Sequence, residues 1–242
     1  MNKVFLSYLF VLSIISMNIA AQSTAYKVSY DDEKFFDLEK NDIPVTANMP
    51  KSFTSYYVLE TTPETSIYHV DKIKTEEEAK KNDNGRRWRW MRNNDDILYK
   101  NINEGRQIDQ SDLFGKNFIV EDTCQTWKWK IYAAEQRDVQ GFTCMKAVFQ
   151  DSTTMLEAWF TPQIPISNGP HIYGGLPGLI LEMRMENRHI VATKIEEYTQ
   201  LEPYPTPSDG EVITKEEYDK IKEEKQKERE AMWRGGARKR RF

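Results

Sequence analysis

Histidine and cysteine, which carry much of enzyme and metal chemistry, are nearly missing from this chain: three and two among 242 residues. The histidines, His69, His171 and His189, are scattered over strand-like stretches and a loop. A zinc site needs ligands at helical spacing or in a compact cluster, so no metal is expected, and no motif implies another cofactor. Serine-hydrolase elbows, phosphate-binding loops and dinucleotide fingerprints are absent as well. No strong excess of one charge is present: the net charge of −4 argues against a dedicated nucleic-acid binder. Internal repeats are absent too.

Long apolar runs are equally scarce. One occurs, at residues 4–19, behind Lys3 and ahead of Ala20-Ala21-Gln22. That order of charge, apolar run and small residues is the pattern of a secretory signal, with cleavage expected after Ala21. The run is short for a membrane span, which needs about 20 residues, and no second run follows. The mature chain is therefore expected to be exported and soluble, in the periplasm or secreted, without a transmembrane span.

Cys124 and Cys144 are the two cysteines. In an oxidising compartment such a pair is expected to form one disulfide, here flanking the strand-like residues 127–132. Closing a loop of about 20 residues would contribute roughly 3 kcal/mol. The alternative is two buried thiols. No Cys–His arrangement points to a catalytic thiol.

What the chain does have is alternation. Tyr26, Val28 and Tyr30 alternate with polar neighbours, and Trp127-Lys128-Trp129-Lys130-Ile131 places three large apolar side chains opposite two lysines. Period two of this kind marks half-buried strands. Residues 142–150, 155–160, 179–185 and 189–196 read as further strands, with turn signals such as Glu104-Gly105 and Gln140-Gly141 between elements. Arg86-Arg87-Trp88-Arg89-Trp90 reads either as a strand with its rings on one face or as an aromatic, cationic surface. Thr75-Glu76-Glu77-Glu78 predicts a short capped helix, and Thr214-Lys215-Glu216-Glu217 a second, highly charged one with Tyr218 and Ile221 as its early apolar pair.

These patterns predict a mainly β (α+β) fold: a strongly curved antiparallel sheet or partly open barrel with a charged C-terminal helix. The organisation that follows is a signal peptide at 1–21, a β-rich domain at 22–200, a Pro-rich linker at 201–213, and the helix with its basic tail at 214–242. The tail from Arg234 reads as a solvated end or as a contact for an anionic partner.

Residues 158–183 stand apart. Pro162, Pro165, Pro170 and Pro177 are mixed there with Gly169, Gly174, Gly175 and Gly178, which prescribes a backbone path rather than a flexible linker. Gly175-Leu176-Pro177-Gly178-Leu179-Ile180 resembles the signature of the GLPGLI family of secreted Bacteroidetes proteins, which has no established activity. Trp129-Lys130-Ile131, Gly141-Phe142-Thr143-Cys144-Met145-Lys146-Ala147, Ala158-Trp159-Phe160-Thr161, Ile164-Pro165-Ile166 and Gly169-Pro170 extend the resemblance over roughly residues 118–196. It implies an accessory protein accompanying outer-membrane transport.

Two functions follow as expectations. The first is an exported, non-catalytic binding or accessory protein of the bacterial envelope. Its site would hold Trp159, His171, Tyr173, Gly175, Leu176, Pro177 and Gly178, and its partner would be an envelope protein or a small apolar or peptide ligand. The second is a periplasmic hydrolase using Glu157, His171 and Glu182, which requires those side chains to converge beside a pocket.

Overall fold

A computed structural model describes residues 23–36, 51–81, 96–113, 115–200 and 202–239, with side chains as far as Glu228. The expected signal peptide and the Arg86–Trp90 stretch lie outside the described residues, as do the side chains of the basic tail. In chain order the elements begin with strands β1 (Ser23–Phe35), β2 (Ser52–Thr61) and β3 (Thr65–Val70), then helix α1 (Lys72–Lys81). Next come β4 (Ile97–Asn101), β5 (Arg106–Leu113) and β6 (Lys116–Thr123). A second run follows: β7 (Lys130–Val139), β8 (Phe142–Gln150), β9 (Met155–Thr161), β10 (Leu179–Met185) and β11 (Arg188–Gln200). The short β12 (Glu211–Ile213) and helix α2 (Lys215–Lys239) complete the set.

The twelve strands of the described residues share one sheet, in the order β12-β6-β5-β4-β3-β2-β1-β11-β10-β9-β8-β7. The expected mainly β fold is what the chain adopts, and the sheet is antiparallel except where β12 runs parallel to β6. Two meanders, β1–β6 and β7–β11, are joined by a twelve-pair seam between β1 and β11, from Ser23↔Gln200 to Lys34↔Arg188. Pairing the first strand with the end of the second meander is the connectivity of an up-and-down barrel, here left open between β12, which covers the outer edge of β6, and β7.

The connectivity also forces the curvature. In the sheet order β6 and β7 stand ten strand spacings apart, about 48 Å if the sheet were flat at ~4.8 Å per spacing. The chain passes from Thr123 to Lys130 in seven residue steps, a reach of at most about 25 Å. The sheet must therefore curl until its margins approach each other. Trp127 and Trp129 lie in this crossing segment, ahead of β7 rather than within a strand as their alternation predicts. Their rings sit 6.1 Å apart and pack on Phe149 and, for Trp127, on Tyr173.

Local sequence explains the ends of the elements. Gln140 and Gly141 both have positive φ, 54° and 80°, as the tight hairpin turn between β7 and β8 requires. Helix α1 starts earlier than its glutamates suggest, because the Asp71 carboxylate caps the Lys74 amide at 2.9 Å. Helix α2 begins at the expected capping box: Thr214 Oγ1 accepts from the Glu217 amide (3.2 Å), and Glu217 Oε2 accepts from the Thr214 amide (3.0 Å). Tyr218 then docks on Phe118 and Val120 of β6, with Ile221 and Ile213 beside it. The segment leading there is anchored as well, for Tyr204 is buried against Tyr99, Ile108 and Ile119 and shares a 2.5 Å hydrogen bond with Tyr198.

Candidate binding site

The proline- and glycine-rich segment between β9 and β10 folds back into the curve of the sheet and becomes part of the core. Ile164, Ile166, Tyr173 and Leu176 join Val28, Tyr30 and Leu59 in one apolar cluster. The Leu179 and Ile180 amides donate to the Ile164 and Asn168 carbonyls, both at 3.0 Å. Buried Asn168 reaches Thr61 Oγ1 at 3.1 Å, and the Tyr30 hydroxyl donates to the Ile180 carbonyl at 2.7 Å. Gly178 is buried with φ 153°, and a Cβ there would collide with the Thr161 carbonyl. Of the expected binding residues, Trp159, Tyr173, Leu176 and Gly178 are buried, His171 is half-buried, and Gly175 and Pro177 are exposed.

His171 stands at the tip of this segment in a left-handed conformation, φ 53°, which is uncommon for a residue with a Cβ. Beneath it lies Lys100 of β4, only 4% exposed, whose ammonium donates to the His171 carbonyl at 2.7 Å and to the Tyr173 carbonyl at 3.3 Å. Burial lowers the Lys100 pKa to about 8. The His171 ring meets Tyr68 edge-on at 6.1 Å, and Tyr68 stacks on Tyr57 at 4.9 Å. Close by, Arg188 grips fully buried Asp32 with two parallel hydrogen bonds of 2.7 and 2.6 Å. Burial, followed by the charges of Arg188, Lys100 and Lys34, holds the imidazole down to about 3, so His171 is neutral at ordinary pH.

A second polar cluster occupies the other face. In register, Glu182 pairs with Trp159 and Val191, and Arg184 pairs with Glu157 and His189. Glu182, 4% exposed, receives Arg184 Nε (2.8 Å), pairs with His189 Nε2 (2.8 Å), and forms an ion pair with Arg137. Burial pushes its pKa up, but hydrogen bonds from Arg184, Arg137 and His189 outweigh it, and the net displacement is downward. The Arg137 guanidinium also lies 4.0 Å over the Trp159 ring. Glu157 accepts from Trp159 Nε1 at 2.9 Å and pairs with Lys146 at 3.3 Å.

The three residues of the hydrolase alternative are thus split. Val191, in Glu182's row, pairs with Asp31, whereas Tyr68, which meets His171, lies in the row of Leu59 and Val28. Odd and even positions of β1 face opposite ways, so Glu157 and Glu182 share one face while His171 meets the other. Glu182's histidine partner is His189. The cysteines expected to form a disulfide are free thiols. Cys124 follows β6 and Cys144 sits on β8, two strands that do not pair with each other. Burial raises the pKa of both, that of Cys144 to about 12, which suits inert packing rather than nucleophilic chemistry.

Sequence reading missed the partners that matter most around His171: Asp32, Arg188, Lys100 and Tyr68. One signal was available, because Asp32 continues the even-numbered series of Tyr26, Val28 and Tyr30 and so falls on the core face. A buried carboxylate at that position demands a cation.

The face that carries Glu182 also opens into a trough of 1340 Å³. Its floor is a row of registered residues, Ser29↔Val58↔His69↔Ile97↔Gln110, crossing β1 to β5. Helix α1 forms one wall, with Ile73 exposed at 75% and Lys74 tied to Asp31 at 2.5 Å. Asn117 and Asp209, bonded to each other at 3.0 Å, border it elsewhere, and Thr193 of β11 also lines it. At the mouth Asp96 has its pKa raised to about 6, by burial first; the Asp112 amide opposes this, and the Asp109 and Asp112 charges add to it. Among the described residues no group of three or more His, Cys, Asp or Glu side chains could hold a metal ion, and no helix is long and apolar enough to cross a membrane.

Fold and site together define an open, barrel-like β-sheet protein with one face filled by its own chain and the other left as a trough. Two crystal forms of PNGF-II share this architecture, at TM-scores of 0.51 and 0.55, both with 16% identity. The matches cover 80% and 82% of this chain but 31% and 33% of PNGF-II, so the chain spans about a third of that protein's length. MucB in complex with MucA(peri) aligns at a TM-score of 0.29 and 10% identity, covering 79% of this chain and 57% of that one. No curated protein matches the sequence. Residues 149–182 match the family model described as "Protein of unknown function (Porph_ging)", a stretch running from the end of β8 into β10 and containing the whole Pro/Gly segment.

Proposed function

We propose that this chain is an exported, non-catalytic binding or accessory protein of the bacterial envelope, and that the trough receives an extended polypeptide segment of its partner. The observation that carries this reading is the registered floor. Crossing five strands, it runs about 19 Å at ~4.8 Å per spacing, a shape suited to an extended segment. Val58, Ile97 and Ile73 supply apolar contacts, with polar and charged groups around them. The apolar run behind Lys3 supports export, and the GLPGLI resemblance supports an envelope setting. A fold that corresponds to about a third of PNGF-II supports the idea of a module that works with other protein parts. The Pro/Gly segment then has an architectural role, shaping the sheet that carries the trough.

The test is site-specific photocrosslinking in envelope preparations. A crosslinker at Thr193, in the trough, is expected to capture a discrete polypeptide, and the Ile73→Asp change is expected to abolish that product. A crosslinker at exposed Lys128 on the crossing segment is the control. The same products from Lys128, or none from Thr193, would sink the proposal.

A further inference from the structure

The polar groups on the trough-free face do not balance. Arg188, Lys34 and Lys100 all stand close enough to His171 to depress its basicity, and among the described residues the carboxylate that meets them is Asp32. Asp32 is consumed by the Arg188 fork, and the Lys100 ammonium is spent on two backbone carbonyls. Lys34 has no ion pair among the described residues, although its even position on β1 places it on the same face as Asp32. Arg188 keeps further N–H donors, because a guanidinium has five and Asp32 takes two.

A second observation is independent of charge. Tyr68 is 3% exposed and its hydroxyl has no hydrogen-bond partner among the described residues, although it lies within electrostatic reach of Arg188 and Asp32. A buried donor left unused is costly, and it marks a place where a partner is missing. The His171 ring, carried on a left-handed backbone, meets the Tyr68 ring edge-on. Arg188 is 19% exposed at its side chain, His171 is half-buried and Lys34 is exposed, so the cluster has an open side.

We propose that this mouth is an anion site, in which Lys34 and the free N–H groups of Arg188 bind the oxygens of a carboxylate or phosphate group and the Tyr68 hydroxyl donates to it from behind. Neutral His171 forms the rim, and the Asp32 carboxylate fixes the orientation of the Arg188 fork. The site lies on the face opposite the trough, so it does not depend on the trough's role: loss of crosslinking at Thr193 would leave it untouched.

Inorganic phosphate and acetate are the probes, titrated by calorimetry into the full-length mature protein at constant ionic strength set with sodium chloride. Saturable binding of one equivalent at millimolar concentrations is expected. Lys34→Gln should weaken it about tenfold and Tyr68→Phe about fivefold, as expected for the loss of one charge-assisted donor and one neutral donor. Lys194, which lines the trough and pairs with Glu196 at 2.9 Å, is the control, and Lys194→Gln should leave anion binding unchanged. Binding of phosphate alone would assign the site to phosphoryl groups, and binding of both anions would extend it to carboxylates. Absence of saturable binding of either anion would overturn the proposal. So would binding that Lys34→Gln and Tyr68→Phe leave intact while both proteins keep the wild-type circular dichroism.

Discussion

Asp32 and Glu182 are both carboxylates withdrawn from water, on opposite faces of one sheet, and they are satisfied in opposite ways. Glu182 is surrounded by Arg137, Arg184 and His189, more donors than its charge needs. Among the described residues Asp32 is ion-paired with Arg188 alone; Lys100 is spent on two backbone carbonyls, and Lys34 is left over. A surplus of partners around a carboxylate makes a closed network in which each member restrains the others. A surplus of cations around a neutralised pair leaves donors without acceptors. The first arrangement holds strands β7, β9, β10 and β11 together; the second has work left to do.

The largest expected effect comes from breaking the inner pair. Arg188→Met leaves Asp32 fully buried and uncompensated, which should cost about 3–5 kcal/mol in urea unfolding. Glu182→Ala should cost less, about 1–2 kcal/mol, because Arg137, Arg184 and His189 are partly exposed and turn to water. If the two losses came out equal, the contrast between the clusters would fail.

Acid sharpens the contrast. The His171 pKa in the fold lies near 3, below the ordinary 6.5, so the unfolded chain takes up that proton first. Stability present above the ordinary value is therefore lost as the pH falls toward the folded one. Between pH 7 and pH 5 the wild type should lose about 1–2 kcal/mol more than His171→Asn, since asparagine tolerates the left-handed backbone and carries no titrating group. The carboxylate losses, including that of Glu182, are common to both proteins and cancel. The smallest effect is expected from Tyr68→Phe: without ligand its unfolding free energy should stay within about 0.5 kcal/mol of wild type or rise, because the hydroxyl it removes has no partner. A clear loss would mean that the hydroxyl is engaged after all.

How much of this was legible in the sequence depends on the range of the interaction. Alternation and turn residues are local, and they place residues 142–150, 155–160 and 179–185 on strands that the structure contains. The capping box at Thr214 is local too. Trp127 and Trp129 obey the same alternation yet precede the strand, because the chain there spans the gap between sheet margins and has no neighbour to pair with. The Arg188–Asp32 pair joins positions 156 residues apart, which only the β1–β11 register brings together. Likewise the trough floor draws single residues from five strands, none conspicuous in its own segment. Proline and glycine at 162–178 announce a fixed path, but not that the path turns inward.

The seam between β1 and β11 has a consequence for the order of assembly. The first strand of the fold lies in the middle of the sheet, and the partner on one of its sides is not made until residue 200. A chain synthesised only as far as β6 can form a meander, but β1 then presents a long bare edge to whatever is near. Joining the halves is an event of high contact order that waits for nearly the whole chain. The same edge is closed on both sides once β11 is in place, so the completed sheet hides the strand that its first half leaves most exposed.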